Sequence, residues 1–286
     1  MAPNPKRRNH EVPHGYLKSW QLGTPPTLHY YDIAADCLGT DRSARSLRFA
    51  HDYLYVPRVG TARLDVLEDW FGGRPESGLA ALCRAARERN PAGLTAPLVE
   101  AALTGAITLA HRSRYAVERL EQAFAGPTPP APLGARSPHQ AALAHLVHAM
   151  AVDLAYFRPW RFTVFYDLPP ILLTCDRPFA WRRQDRQAAE TAFMPLGPSA
   201  LLAGTPRSSA DQPRLEWVAG AADPLRLAST VNLAVAERAR HWVIGYDAGS
   251  VLRMRRDFPR DHYRTASQGD PISSFCQTGT GFEKLA

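Results

Sequence analysis

Apolar positions follow a helical period through the middle of the chain and alternate with polar ones from Arg161 onward. Helices and strands are therefore expected to segregate, as in an α+β protein. Before the helical region, Leu28–Ile33 has the aromatic and β-branched content of a strand, and Asp52–Val56 is a short extended candidate. Arg63–Phe71 and Glu76–Glu88 read as two amphipathic helices separated by Gly72-Gly-Arg-Pro75. Pro97 can open a third helix that runs toward Phe124. Gly126–Gly134, with four prolines, must be a loop. Ser137 and Pro138 supply a cap and a first-turn proline for a helix to about Tyr156.

Beyond that helix, Phe162, Val164 and Tyr166 alternate as in a half-buried strand. The Leu168-Pro-Pro170 turn leads to a second strand, Ile171–Thr174. Leu196–Ala203 and Leu215–Val218 are further strand candidates. Pro224–Arg240 is a helix and His241–Tyr246 a closing strand. The expected architecture is a central helical bundle packed against a small, mostly antiparallel sheet. Residues 10–255 form one domain on this reading, preceded by a mobile lead at 1–9 and followed by a loosely ordered tail at 256–286.

Composition narrows the class without naming a function. The chain has 286 residues, of which 45% are hydrophobic and 21% charged, enough to bury a substantial core. Its formal charge of +7 permits contact with phosphate. The cysteines, Cys37, Cys83, Cys175 and Cys276, form no C-x-x-C pair, which argues against a zinc scaffold or a disulfide framework. The basic start lacks an apolar stretch after it, and Leu94–Ala110 is too short and too polar at Glu100 to span a bilayer. A cytoplasmic protein without a membrane partner is expected.

Several polar residues fit a plain core poorly. On a wheel from Leu98 to Phe124, Arg114 falls among Leu103, Ile107, Ala110 and Val117. A buried guanidinium stays charged and needs an acidic partner or an anionic ligand, with Glu68, Glu76 and Asp176 as the partners to examine. A bend near Ser113 would instead let Arg114 reach solvent. Asp153 lies at the margin of an apolar stripe, where a solvated position explains it. His145 and His148 have i, i+3 spacing but no H-E-x-x-H pattern, so surface positions suit them better than a metal site. Thr174-Cys-Asp-Arg-Pro178 ends a strand with Thr174 and Asp176 at a sheet edge, either as a site or as an Asx-type turn. No phosphate-binding glycine loop, dinucleotide fingerprint or nucleophile elbow is present.

The ordered set of these elements resembles the bacterial family of unknown function DUF4238. His10-Glu-Val-Pro13-His-Gly-Tyr16-Leu-Lys-Ser-Trp20 is similar to the opening signature of its members, and Leu28–Asp32 to the strand that follows. Leu67–Phe71 with Glu76–Leu79 resembles a paired-glutamate helical region, and Leu109–Arg114 an Arg-containing helix break. Thr174–Pro178, Pro195–Pro198, and Val231-Asn232 through Val243 complete the order. Cys175 stands where serine is usual and Trp20 where phenylalanine is commoner. The family implies relatives but no reaction.

Two functions are compatible with these residues. In an enzyme, His10, Glu68, Glu76 and Asp176 would be catalytic, and Tyr16, Arg114, Thr174 and Asn232 would bind ligand. A histidine with carboxylates could cleave a phosphodiester by general acid–base chemistry while Arg114 holds the anion. A divalent cation between Glu76 and Asp176 is conceivable. Nucleic acid, or another anionic ligand, would be the partner, and a toxin or defence effector the setting. In the alternative, the same residues form a structural network within a ligand-binding or regulatory module, with the His10 segment clamped onto Asp176 and Arg114 satisfied by a glutamate.

Overall fold

The computed structural model describes residues 8–46, 49–52, 54–56, 58–59, 62–63, 66–125, 137–182, 190–207 and 213–258. In chain order it begins with β1 (Arg8–His10), α1 (His14–Leu17), a 3-10 turn at Lys18–Trp20, β2 (Leu28–Asp32), β3 (Cys37–Asp41) and β4 (Ala50–Asp52). A ribbon of β5 (Arg58–Val59) and β6 (Ala62–Arg63) precedes the helices α2 (Val66–Gly72), α3 (Arg74–Glu88), α4 (Ala96–Thr108), α5 (Arg114–Phe124) and α6 (Pro138–Phe157). Strands β7 (Trp160–Tyr166), β8 (Thr174–Cys175), β9 (Ala180–Arg182), β10 (Thr191–Gly197), β11 (Ala200–Pro206) and β12 (Leu215–Ala219) follow. The described chain ends with α7 (Pro224–Arg238), β13 (Trp242–Gly245) and α8 (Ala248–Asp257).

The class is α+β, with helices and strands segregated as the two hydrophobic periods require. In β7, Trp160, Phe162 and Val164 are buried at alternate positions, whereas β10 is buried at every position from Ala192 to Gly197. That sheet has the order β12-β7-β11-β10-β9 and is antiparallel except where β12 joins β7. Helix α3 buries Leu79, Leu82, Cys83 and Ala86 on one stripe. It meets α4 closely at Gly78, where a Cβ would come within 2.5 Å of the Ala102 backbone nitrogen. Ser137 Oγ accepts from Gln140 N and opens α6, the cap expected from its sequence. Among the described residues no helix is long and apolar enough to cross a membrane.

The second sheet positions the site. Its order is β3-β2-β13-β8, so the late strand β13 lies between β2 from the beginning of the chain and β8 from its middle. The antiparallel register Val243↔Cys175 and Ile244↔Thr174 brings the residues just before β13 beside those just after β8. Separately, β1 pairs with β4 in the register Asn9↔His51. Phe49, next to β4, packs edge-on against Trp242 with ring centroids 5.0 Å apart, which holds this ribbon against β13.

Several sequence expectations are corrected. The helix drawn from Pro97 to Phe124 is two helices, because Ser113 takes an N-cap conformation and its Oγ accepts from Ala116 N. Of the strand expected at Ile171–Thr174 only Thr174 lies in a strand, β8, which continues to Cys175. Prolines 169 and 170 precede it, and the Asn232 side chain replaces a strand partner by bonding Leu173 N and Ile171 O. The early extended piece lies at Ala50–Asp52 rather than Asp52–Val56, with Leu54 and Tyr55 in a turn. Leu196–Ala203 spans the β10–β11 hairpin, not one strand. Helix α8 occupies the residues on both sides of the expected tail boundary at 256, held by an Asp247–Ser250 capping box. Residues 1–7, the loop expected at 126–134 and 259–286 lie outside the described residues.

Candidate functional site

The polar residues that the fold gathers are Glu11, His51, Asp176 and His241. Glu11 follows β1, and the β1–β4 pairing sets His51 beside it, with His51 Nε2 in direct contact with Glu11 Oε1. The register of β8 with β13 sets Asp176 beside residues 240–242. Asp176 Oδ1 accepts the backbone N–H groups of Arg240, His241 and Trp242 at 3.0, 3.2 and 3.4 Å. Its Oδ2 is buried and has no hydrogen-bond partner among the described residues.

Glu11 and Asp176 are both fully buried. Glu11 Oε2 accepts from Arg114 N at 3.0 Å and lies 3.6 Å from His241 Nδ1; Asp176 Oδ2 lies 3.9 Å from the same nitrogen. These last two separations are beyond hydrogen-bond length, so they are charge contacts rather than hydrogen bonds. Glu11, His51 and His241 open onto a cleft of about 650 Å³. Asp32, Asp41 and Arg114 also line it, so both signs of charge face its interior. The two imidazole rings are 6.4 Å apart.

Burial pushes the Glu11 carboxyl up, but His241 and His51 outweigh it and bring the group from 4.5 down to about 2. Burial pulls His241 down, yet the Glu11 and Asp176 carboxylates overcome this and Arg114 together, raising it from 6.5 to about 9. These shifts are largely one interaction seen from both partners and count once. Glu11 contributes stability in full above pH 4.5 and loses it as pH falls toward about 2. His241 contributes in full below pH 6.5 and loses it as pH rises through about 9. Metal-free protein should therefore be most stable between these limits, about pH 4.5 to 6.5. Urea midpoints across and beyond that window check this. His241→Gln should flatten the alkaline limb, and a wild-type midpoint that does not fall through that limb would contradict the pairing.

The residues singled out in the sequence go to several places. Tyr16 and Thr174 meet in the core, where their hydroxyls are 2.6 Å apart and Tyr16 Oη donates to Pro195 O at 2.7 Å. Burial drives the Tyr16 phenol well up, the behaviour of a structural hydroxyl. Asn232 clamps the 171–173 segment. Glu76 accepts from Arg112 Nη1 at 2.7 Å, Glu68 adds its charge nearby, and Arg112 Nη2 donates to His10 O at 3.2 Å. The His10 imidazole is lowered by burial, partly offset by Glu76. Of the set, only Asp176 and Arg114 belong to the gathering around the cleft.

The buried arginine is Arg112, not Arg114. The Arg112 side chain is 2% exposed and lies 4.0 Å over the Phe71 ring, whereas Arg114 is 48% exposed and pairs with Glu118. Arg114 still lines the cleft. Among the described residues, the group whose donor atoms all lie within 4.8 Å of one another is Glu11, Asp176 and His241; Glu76, expected to share a cation with Asp176, is held by Arg112 instead. Glu11, His51, Arg112 and His241 escaped the sequence reading. Glu11 lies next to His10, and His241 lies nine positions beyond Asn232, in stretches that those residues made conspicuous.

Comparison of the chain with family models, characterised proteins and solved structures finds no match.

Proposed function

We propose that this protein is a hydrolase of phosphodiesters, with nucleic acid as the substrate class, and that the reaction takes place in the cleft floored by Glu11 and His241. The observation that carries this reading is the convergence of fully buried Glu11 and two histidines on one open cleft, with fully buried Asp176 in charge contact with His241. Buried ionisable groups are costly to maintain, and their concentration at a concave surface is a feature of functional sites. Ionised Glu11 can only accept hydrogen bonds, so in a neutral His51 the tautomer that suits this contact carries its proton on Nε2 and presents Nδ1 as the acceptor. In this reading His51 is the general base that activates water. Arg114, paired among the described residues with exposed Glu118, can turn its guanidinium to a phosphate in the cleft. The formal charge of +7 favours approach of a polyanion, and the resemblance to DUF4238 is compatible with this reading. The cytoplasm and a role as toxin or defence effector belong to the same proposal.

A second reading is a binding module without catalysis. It is favoured by Tyr16, Thr174, Asn232 and the Arg112–Glu76 pair, all of which are engaged in bonds that fix the fold. One experiment separates the two. Purified protein is incubated with single-stranded RNA, single-stranded DNA and bis(p-nitrophenyl) phosphate, with Mn²⁺ or Zn²⁺ added, and products are followed with time. Cleavage should fall by about 100-fold or more in His51→Ala. Retention of RNA or DNA without any product would establish the binding module, and cleavage unchanged in His51→Ala would remove the cleft from the chemistry.

A further inference from the structure

We propose that Glu11 Oε2, Asp176 Oδ2 and His241 Nδ1 hold a divalent cation of the Zn²⁺ or Mn²⁺ type, with open coordination positions facing the cleft. This rests on the cleft being the working site, and it gives that site its metal.

Asp176 spends Oδ1 on three backbone N–H groups, which fixes the carboxylate and leaves Oδ2 buried without a hydrogen-bond partner. His241 Nδ1 is likewise buried and without one. A buried carboxylate oxygen and a buried imidazole nitrogen each cost free energy when unsatisfied. Had they satisfied each other through a proton, their separation would be roughly 2.7–2.9 Å. It is 3.9 Å, and the Glu11 oxygen lies at 3.6 Å from the same nitrogen. Ligands about 2.0–2.2 Å from a common tetrahedral ion lie roughly 3.3–3.6 Å apart, so the two separations from His241 Nδ1 match that arrangement slightly opened, and one ligand atom from each of the three residues lies within 4.8 Å of the others.

The supporting contacts favour the same conclusion. His51 holds Glu11 Oε1 and Arg114 N donates to Oε2, so the Glu11 carboxylate is oriented from two sides. Once the His241 proton is released, two buried carboxylates beside the neutral imidazole carry a net negative charge that a dication offsets, so the ion takes the place of that proton. One nitrogen and two carboxylate oxygens suit Zn²⁺ or Mn²⁺ better than Ca²⁺, which gathers six to eight oxygens. Three protein ligands leave room for water, and Glu11 and His241 line the cleft through which it would enter. A metal bound here would lower the pKa of that water, the nucleophile the proposed hydrolysis requires.

The test measures metal uptake without substrate. Full-length protein is stripped with chelator, desalted and titrated with Zn²⁺ and, separately, Mn²⁺ by calorimetry, with elemental analysis of the reloaded protein. One equivalent per chain is expected, accompanied by a rise in thermal midpoint. Asp176→Asn keeps an oxygen for the backbone donors and should bind at least about 100-fold more weakly. His241→Gln, altered at a partly exposed position, should do the same, and His51→Ala should lose about 10- to 100-fold. Absence of saturable uptake by the wild type overturns the site. So does uptake that survives both ligand variants, or uptake abolished by Asp32→Asn or Asp41→Asn instead, which would assign the ion to other residues of the cleft. The two proposals fail separately. Stoichiometric uptake without phosphodiester cleavage removes the hydrolase and leaves the metal, whereas cleavage that persists in chelator without uptake removes the metal and leaves the hydrolase.

Discussion

Asp176→Ala should lower the unfolding free energy by at least about 3 kcal/mol, because three backbone donors lose their acceptor at once and each such loss costs about 1–3 kcal/mol. The donors are the N–H groups of Arg240, His241 and Trp242, at the point where the chain enters β13. A methyl group satisfies none of them, and burial limits how far water can substitute. Asp176→Asn keeps the acceptor oxygen and should cost about 1 kcal/mol, roughly the difference between a charged and a neutral acceptor. Urea unfolding of both variants in chelator, followed by far-ultraviolet circular dichroism, separates this structural role from metal binding. Equal stability of the alanine variant and the wild type would show that Asp176 does not secure the start of β13.

The second large effect concerns Arg112. Its guanidinium binds Glu76 Nη1 to Oε1 and the His10 carbonyl, and stacks over Phe71 with Tyr55 also nearby. Arg112→Ala removes the ion pair, the cation–π contact and buried volume together, for an expected loss of about 3–5 kcal/mol. Arg112→Met with Glu76→Gln removes both charges while retaining volume, and should recover most of that loss. Arg114→Ala, by contrast, should change stability by no more than about 0.5 kcal/mol, since its pair with Glu118 is exposed. Thermal and urea unfolding of the three proteins test the assignment. A larger loss from Arg114 than from Arg112 would reverse it.

That contrast shows how the sequence could be read and where it misled. The principle that a buried arginine requires a carboxylate led to Glu76, which is indeed engaged by an arginine. The wheel selected the wrong arginine because it assumed an unbroken helix, whereas Ser113 caps a new one and resets the angular phase. Ser137 with Pro138, the alternation of Phe162 and Val164, and the span of α7 were legible because local chemistry decides them. The floor of the cleft was not. It depends on β1 and β4, strands of three residues each, and on β13 joining β2 and β8 across long stretches of chain. Strands that short carry too few positions to establish a period, and pairing over such distances leaves no local mark. Glu11 thus looked like a neighbour of His10, and His241 like the first residue of a strand.

The place of β13 has a consequence for how the protein comes into being. Glu11, His51 and Asp176 leave the ribosome well before His241 does, and the strand that unites them is inserted between two that already exist. During synthesis the earlier segments can form helices and the β2–β3 hairpin, but the cleft has no floor until translation has passed Gly245. Whatever the cleft does therefore begins only after β13 has been made and has paired with β2 and β8.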